Sequence, residues 1–176
     1  MATQISIDIE TLGTTVNSQM LSIGACSFNA KGEILDKFYA VVDFKDNQEV
    51  CSTVGTLKFW INQPAEAVKV IFGDDVDRLP EYQVLTQLSK WIKAKGKVEV
   101  WCNGTKFDLG MLEETYRKLK LMPAWTFNAD RCMRTLRKFA GNIEVNYIGI
   151  PHYALDDAIW QAKYIAAACE KLGLEL

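Results

Sequence analysis

The stretch Thr3-Gln4-Ile5-Ser6-Ile7-Asp8-Ile9-Glu10 opens the chain with isoleucines at every second position and polar residues between them. Successive side chains of a strand point to opposite sides of a sheet, so an alternation of period two is typical of a strand with one face in the core. The stretch therefore predicts a half-buried strand that places Asp8 and Glu10 together on the face opposite the isoleucines.

Two further strand-like runs, 20–28 and 34–42, follow this strand, and the turn 29–32 lies between them. Three strands joined by such short connections should form an antiparallel meander. Helical spacing then alternates with short strands, a pattern that adds parallel strands to a sheet. We expect one domain over residues 1–176, built on a mixed sheet of about five strands flanked by helices.

The predicted helices fall in the second and third parts of the chain. In the first of them, Leu57, Trp60 and Ile61 are expected to form an apolar face. The remaining elements are helices from Pro80 to about 95, over 107–121, over a short basic segment after 130 and over 153–172, with strands at 97–102 and near 126–129.

Composition limits the class of protein. Hydrophobic residues make up 49% and charged residues 24% of the chain, which is ordinary for a globular protein. The net charge of -2 argues against a protein that wraps long duplexes, because that mode needs a strongly basic surface. No leader precedes the first strand, and no apolar run approaches the roughly 18 residues of a membrane span, so we expect a cytoplasmic protein that does not contact membranes.

Asp8 and Glu10 are candidates for binding divalent cations. Hydrolysis of a phosphodiester adds negative charge to an anionic centre, and two divalent cations about 4 Å apart are a recurrent solution. Such hard cations prefer carboxylate oxygens. The polar face of an edge strand explains the same two residues, so this motif alone decides nothing.

Two other segments carry acids at the start of predicted helices. Asp108 follows a strand and a glycine turn, where ligand sites of α/β sheets gather, although Thr105 and Asp108 also have the spacing of a capping box. His152 is the single histidine of the chain and precedes Asp156 and Asp157, which the helix dipole alone would favour. Imidazole is well suited to accept a proton from water near neutral pH.

Together these residues resemble the three motifs of the DnaQ-like, or DEDDh, family of 3′-5′ exonucleases. The strings are Ile7-Asp8-Ile9-Glu10-Thr11, Phe107-Asp108 and His152-x-Ala154-x-x-Asp157, and they extend over nearly the whole chain. Within the family, the chain is most similar to the branch of phage exodeoxyribonuclease A and small bacterial exoribonucleases, which also place a Thr-x-x-x-Trp segment before the middle helices, here Thr56 to Trp60.

The resemblance implies a ribonuclease-H-like fold and a site for two Mg²⁺ or Mn²⁺ ions. It makes Asp8 the carboxylate shared by both ions, Glu10 and Asp157 further ligands of the first, and Asp108 a ligand of the second through water. His152 is the implied general base. The expected activity is removal of nucleoside 5′-monophosphates from the 3′ end of single-stranded DNA or RNA.

Three residues are implied to bind the substrate. Thr11 would hydrogen-bond the terminal nucleotide, Leu12 would wedge against its base, and Trp60 would stack on it. A nucleic acid with a free 3′ end is the expected partner, and a homodimer is plausible from the relatives. A catalytically idle protein that binds nucleic-acid ends is the alternative function, and an internally cutting nuclease is a third.

Several assignments stay open at this level. Asp156 is adjacent to Asp157, although the motif spacing favours Asp157 as the ligand. Asp130 matches no motif and is interpreted as structural, pairing with a nearby arginine. A group of basic residues falls on one predicted helix face, which either meets substrate phosphates or is only solvated: Arg131, Arg134, Arg137 and Lys138.

Overall fold

The structure, a computed structural model, describes residues 2–44 and 52–176 and is organised around a six-stranded sheet. Its strands in chain order are β1 (Thr3–Thr11), β2 (Met20–Phe28), β3 (Ile34–Asp43), β4 (Arg78–Pro80), β5 (Val98–Cys102) and β6 (Asp130–Cys132). Their order in space is β4-β3-β2-β1-β5-β6. β1, β2 and β3 pair antiparallel, and the other strands add in parallel at both edges. The predicted mixed sheet, a meander extended by parallel strands, is confirmed.

Helices connect and cover the strands. They are α1 (Val54–Ile61), α2 (Ala65–Phe72), α3 (Glu81–Lys93), α4 (Asp108–Lys118), α5 (Met133–Ala140) and α6 (Ala154–Leu172), with a short 3-10 helix at Phe127–Ala129. None of the helices within the described ranges has both the length and the apolar character that crossing a membrane requires.

Both faces of the sheet are covered, and this explains why β2 is buried at every position. On one face Ile5, Ile7 and Ile9 pack with apolar residues of α3 and α4. On the other face Cys26 and Phe28 pack with α5 and α6. The alternation in β1 therefore directs its isoleucines toward α3 and α4, and Asp8 toward α6.

Two details of the predicted strands are wrong. Residues 127–129 form a 3-10 helix, and the strand begins only at Asp130, where pairing with Val100 of β5 becomes available. β4 was not expected, because Arg78-Leu79-Pro80 has no alternating pattern. It pairs in parallel with the end of β3 at the edge of the sheet, a position that tolerates proline.

Two expectations for the helices are also wrong. Leu57 and Ile61 do not face the core, since they are 43% and 80% exposed, and Trp60 is the buried residue of α1. Eight residues make only about two helical turns, so α1 has a short face available for burial. Arg131 lies in β6, so the predicted basic helix face starts only with Arg134 on α5.

Candidate active site

The five predicted catalytic residues line one cavity at the edge where β1 and β5 end. β1 and β5 are parallel neighbours, so their carboxyl ends open at the same edge of the sheet, as ligand sites of such sheets do. The cavity has a volume of about 380 Å³. Its lining contains the four acids and the histidine that the motifs indicated: Asp8, Glu10, Asp108, His152 and Asp157.

The close approach of α6 to the sheet depends on Gly24 in β2. Gly24 is the partner of Asp8 in the antiparallel register. A Cβ at residue 24 would lie 2.1 Å from the carbonyl carbon of Ala154 and 2.1 Å from the amide nitrogen of Leu155. Glycine therefore lets the first turn of α6, which carries Asp157, lie directly on β2 beside Asp8.

Asp108 is tied to β1 rather than to a capping box. Its Oδ1 accepts a hydrogen bond from the backbone N–H of Ile9, and its Oδ2 accepts one from Gly104, both at 3.4 Å. Phe107 precedes the first turn of α4, and no side-chain hydrogen bond caps the helix there. The carboxylate thus bridges the turn after β5 to the central strand.

Asp157 and Asp156 point to different surroundings. Asp157 lines the cavity, and its Oδ2 accepts the backbone N–H of His152 at 3.0 Å while its Oδ1 accepts the hydroxyl of Tyr147 at 2.7 Å. Asp156 accepts the backbone N–H of Ile150 at 2.9 Å and fastens the preceding loop. The geometry therefore favours Asp157 as the acid of the site.

His152 adopts a left-handed backbone conformation, with φ of 63°. Such a conformation costs a non-glycine residue about 1–3 kcal/mol and persists only where its surroundings impose it. The hydrogen bond to Asp157 is one such restraint. The ring is partly exposed, its Nδ1 lies 3.9 Å from Oε1 of Glu10, and its edge contacts the ring of Phe59 with centroids 4.8 Å apart.

Gln161 and Tyr147 are residues of the site that the motifs did not indicate. The Nε2 of Gln161 donates to Oδ1 of Asp8 at 2.7 Å, and Gln161 is buried. Gln161 is four residues after Asp157 on α6, so helical periodicity could have placed both on one face. Tyr147 lies in the irregular segment before α6, where periodicity gives no signal.

Burial raises the pKa of all four acids, and repulsion between the acids of the site adds to this for Asp8 and Glu10. Burial is the largest cause for Asp8, whose pKa lies well above its usual value, and the charges of Asp108, Glu10 and Asp157 add to it. Burial and the charges of Asp157 and Asp108 likewise raise the pKa of Glu10. Burial raises the pKa of Asp108 to about 6 although backbone N–H groups oppose the change, and burial also raises that of Asp157.

The donor set fits a hard divalent cation. Glu10, His152 and Asp157 each offer one ligand atom, and these atoms lie within 4.8 Å of one another. Carboxylates that repel one another in a partly closed cavity gain stability from a cation, because its charge reverses the local electrostatics. Asp8 and Asp108 line the same cavity and extend the oxygen-rich surface.

All three predicted substrate residues are buried in the structure. Trp60 is 4% exposed, and its indole N–H donates to the carbonyl of Thr11 at 3.0 Å, so its ring is not available to stack on a base. Leu12 is 7% exposed and packs beside Leu21 and Trp60, and its role as a wedge against the base stays a prediction. Thr11 is buried, with its hydroxyl donating to the carbonyl of Gly13 at 2.6 Å.

A second cavity of about 340 Å³ lies beside the carboxylates, and Glu10, Thr11, Phe59 and Phe107 contribute to its lining. Phe59 is 39% exposed and is the aromatic residue of α1 that faces this space. The resemblance indicated its neighbour Trp60, because it places the segment from Thr56 to Trp60 beside the substrate. In the structure Thr11 and Phe59 line this cavity, and Trp60 does not.

The predicted basic group separates into different environments. Arg131 forms an ion pair with Glu99 at 2.8 Å, and Arg137 lies over the ring of Tyr164. Arg134 alone of the group lines the carboxylate cavity. Asp130 does not line it, and among the described residues its carboxylate forms neither of the expected ion pairs, with Arg131 or with Arg134.

Comparison with known proteins agrees with this arrangement. The family model of the Rv2179c-like domain, described as a 3′-5′ exoribonuclease domain, matches residues 3–169. An exodeoxyribonuclease of Enterobacteria phage T4 is 25% identical, and the match covers 65% of this chain and 56% of the phage protein. The chain therefore spans little more than half the length of this relative.

Solved structures share the fold at low sequence identity. The nuclease domain of 3′hExo, a DEDDh family member bound to rAMP, is 19% identical with a TM-score of 0.65, covering 99% of this chain and 94% of that one. E. coli exonuclease I in complex with an oligonucleotide is 15% identical with a TM-score of 0.67, covering 98% and 42%. Exonuclease X with 5′ overhanging duplex DNA is 16% identical with a TM-score of 0.57, covering 97% and 93%. The architecture is that of the ribonuclease-H-like DEDDh exonucleases.

Proposed function

The chain belongs to the Rv2179c-like family of 3′-5′ exoribonuclease domains, and we propose that it removes nucleotides from the 3′ end of single-stranded DNA or RNA. Water attacks the terminal phosphodiester, and a nucleoside 5′-monophosphate is released. The observation that carries the proposal is the convergence of four acids and one histidine, from three distant parts of the chain, on one cavity.

Asp8, Glu10, Asp108 and Asp157 are proposed to hold two Mg²⁺ or Mn²⁺ ions. These residues supply hard oxygen donors. Their pKa values are raised because their charged forms are unfavourable in the buried site when no cation is bound. When bound, the ions would stabilise the charge that develops on the phosphate and lower the pKa of the attacking water.

His152 is proposed as the general base. Its ring lies at the rim of the cavity, partly exposed, so that it reaches both the acids and solvent. Its Nδ1 faces the carboxylate of Glu10, whose charge would stabilise the imidazolium formed when the ring accepts a proton from water. The hydrogen bond from the His152 backbone to Asp157 keeps the ring at this place.

The cavity beside the acids is proposed to receive the terminal nucleoside. Phe59 offers a partly exposed ring for the base, since aromatic rings stack on bases without sequence preference. Trp60 supports this surface from beneath by binding the carbonyl of Thr11. The position of this 340 Å³ cavity directly beside the acids supports placing the terminal nucleoside there.

The test uses 5′-labelled single-stranded DNA and matched RNA with Mg²⁺, with Mn²⁺ and with chelator. The wild-type chain should give a metal-dependent ladder that shortens from the 3′ end, with nucleoside 5′-monophosphates as products. Asp8→Ala should abolish cleavage and remain folded. Asp156→Asn, which changes the neighbouring acid outside the cavity and keeps an acceptor for Ile150, should still produce the ladder.

Each alternative has its own outcome. Internal oligonucleotide products would identify an endonuclease. Binding of the strands without cleavage under any metal would support the idle end-binding protein. An active Asp8→Ala variant would refute the metal-dependent mechanism.

A further inference from the structure

A third cavity, the basic cavity, adjoins both the carboxylate cavity and the proposed nucleoside cavity. Its volume is about 590 Å³, within the range of sites that bind small ligands. It shares Phe107 and Arg134 with the carboxylate cavity, and Phe107 and Thr14 with the nucleoside cavity. This space is therefore next to a strand whose 3′ end lies at the acids.

The charge of the basic cavity is opposite to that of its neighbour. Lys106 and Arg134 line it, together with threonine hydroxyls and the glycine turn at Gly104, and no acid of the described part of the chain does so. The adjoining cavity is lined by four acids. The basic cavity thus favours an anion, and the carboxylate cavity beside it favours a cation.

Arg134 is available to a ligand in a way that its neighbours on the sequence are not. Within residues 2–44 and 52–176 its guanidinium has no ion pair and no hydrogen bond, whereas Arg131 is paired with Glu99 and Arg137 lies over Tyr164. Arg134 is also anchored, because its backbone N–H donates to the carbonyl of Asn103 at 3.2 Å.

The Arg134 guanidinium lies over the turn after β5. A Cβ at residue 104 would be 3.4 Å from Cζ of Arg134, which is ordinary van der Waals contact, so the guanidinium lies next to the backbone of Gly104. Arg134 also lines both the basic cavity and the carboxylate cavity. A planar guanidinium suits a phosphate, which it can bind through two parallel hydrogen bonds.

We propose that Arg134, assisted by Lys106, binds the backbone phosphate on the 5′ side of the penultimate nucleotide, one linkage away from the bond that is cut. This inference rests on the proposed exonuclease function. It assigns to the basic cavity the second nucleotide of the strand, and it makes the enzyme depend on a negative charge at that linkage.

The experiment removes the negative charge of the phosphate and the positive charge of Arg134, first separately and then together. Two oligonucleotides are compared, one natural and one with an uncharged methylphosphonate at the linkage next to the scissile one. Each is cut by the wild-type chain, by Arg134→Gln and by Lys138→Gln, and kcat/KM is measured. Lys138→Gln is the matched control, since Lys138 is exposed on the same helix and lines none of the three cavities.

The wild-type chain should lose about tenfold or more on the methylphosphonate, the value of one charge-assisted hydrogen bond. Arg134→Gln should lose a similar factor on the natural strand and little more on the methylphosphonate. Lys138→Gln should discriminate as the wild type does. Discrimination by Arg134→Gln that equals that of the wild type would overturn the inference, because the residue would then not read this phosphate.

A binding measurement separates this inference from the proposed function. If the wild-type chain cuts neither strand, the exonuclease proposal fails, and the phosphate contact is tested by the affinity for a labelled strand at several salt concentrations. The slope of log affinity against log salt should fall by about 0.7 in Arg134→Gln, as expected for one lost phosphate contact on a single strand. An unchanged slope would contradict the contact.

Discussion

Replacing Asp108 with asparagine should stabilise the metal-free protein at neutral and alkaline pH. Asp108 is 3% exposed and its pKa is raised from the usual 3.8 to about 6, chiefly by burial. At about 1.4 kcal/mol per pKa unit, the charged form is destabilised by about 3 kcal/mol relative to the unfolded chain. An amide of the same shape carries no charge and avoids this cost.

Part of the gain is lost in hydrogen bonding. Asp108 accepts backbone N–H groups from both Ile9 and Gly104, and an asparagine can accept only one of them through its single oxygen. The lost bond costs about 1 kcal/mol, which leaves a net gain of about 2 kcal/mol. For a chain of this size, that gain corresponds to a rise in Tm of roughly 4–8 °C.

The gain should depend on pH with a defined sign. The pKa of Asp108 is higher in the folded protein than in the unfolded chain. At a pH between these two pKa values, the folded protein therefore binds more protons than the unfolded chain. The free energy of unfolding therefore falls as the pH rises from about 4 to about 6. Above about pH 6 the whole destabilisation by the charged Asp108 is present. Asp108→Asn should gain stability at pH 8 and lose that advantage near pH 4, where Asp108 itself is protonated.

The assay is thermal unfolding with chelator from pH 4 to pH 8, followed by circular dichroism. Asp36→Asn is a control of opposite sign, because a hydrogen bond from Lys95 holds the pKa of Asp36 below its usual value and the aspartate is exposed. That variant should lose a little stability or none at pH 8. An Asp108→Asn protein that is no more stable than the wild type at pH 8, or equally more stable at pH 4, would refute the reasoning.

Three further substitutions test how the site is held. His152→Ala should lower turnover by roughly 10² to 10⁴ while Mg²⁺ still raises the Tm, and loss of that Mg²⁺ effect would identify the histidine as a ligand instead of the base. Gly24→Ala should displace the start of α6 at Ala154 and lower both the Tm and turnover, so wild-type values in melting and cleavage assays would contradict the close packing. Trp60→Phe should leave the carbonyl of Thr11 without its donor and cost about 1–3 kcal/mol in urea unfolding, and an unchanged midpoint would count against the bond.

The acids of the site were predictable because strand periodicity and topology determine where they lie. Alternation in β1 sets Asp8 and Glu10 on one face, and a parallel strand beside β1 brings Asp108 to the same edge. These two relations depend on the backbone alone, and for that reason a pattern in the sequence is enough to give them. The choice of Asp157 over Asp156 came instead from the resemblance to the family motif, and in the structure Asp156 makes a loop contact.

The surroundings of the acids were less predictable because they depend on which of two similar side chains reaches a given space. Phe59 and Trp60 are adjacent and apolar, and only packing against Thr11 decides that Trp60 is the buried one. Tyr147 comes from a segment without regular structure, and no period predicts that its hydroxyl reaches Asp157. The start of β6 at Asp130 is similarly determined by the partner strand, since three residues are too few to show an alternation.

The site divides into two halves that are held by different forces. Asp8 lies on the central strand of the sheet, and its surroundings are fixed by backbone pairing and by the buried Gln161. His152 is held in a left-handed conformation chiefly through Asp157, whose other oxygen is occupied by Tyr147. The two oxygens of the Asp157 carboxylate offer about four acceptor positions, so a bound cation would share this side chain with both hydrogen bonds. Metal binding and the placement of the proposed base would therefore be coupled through Asp157, whose charge also acts on Asp8.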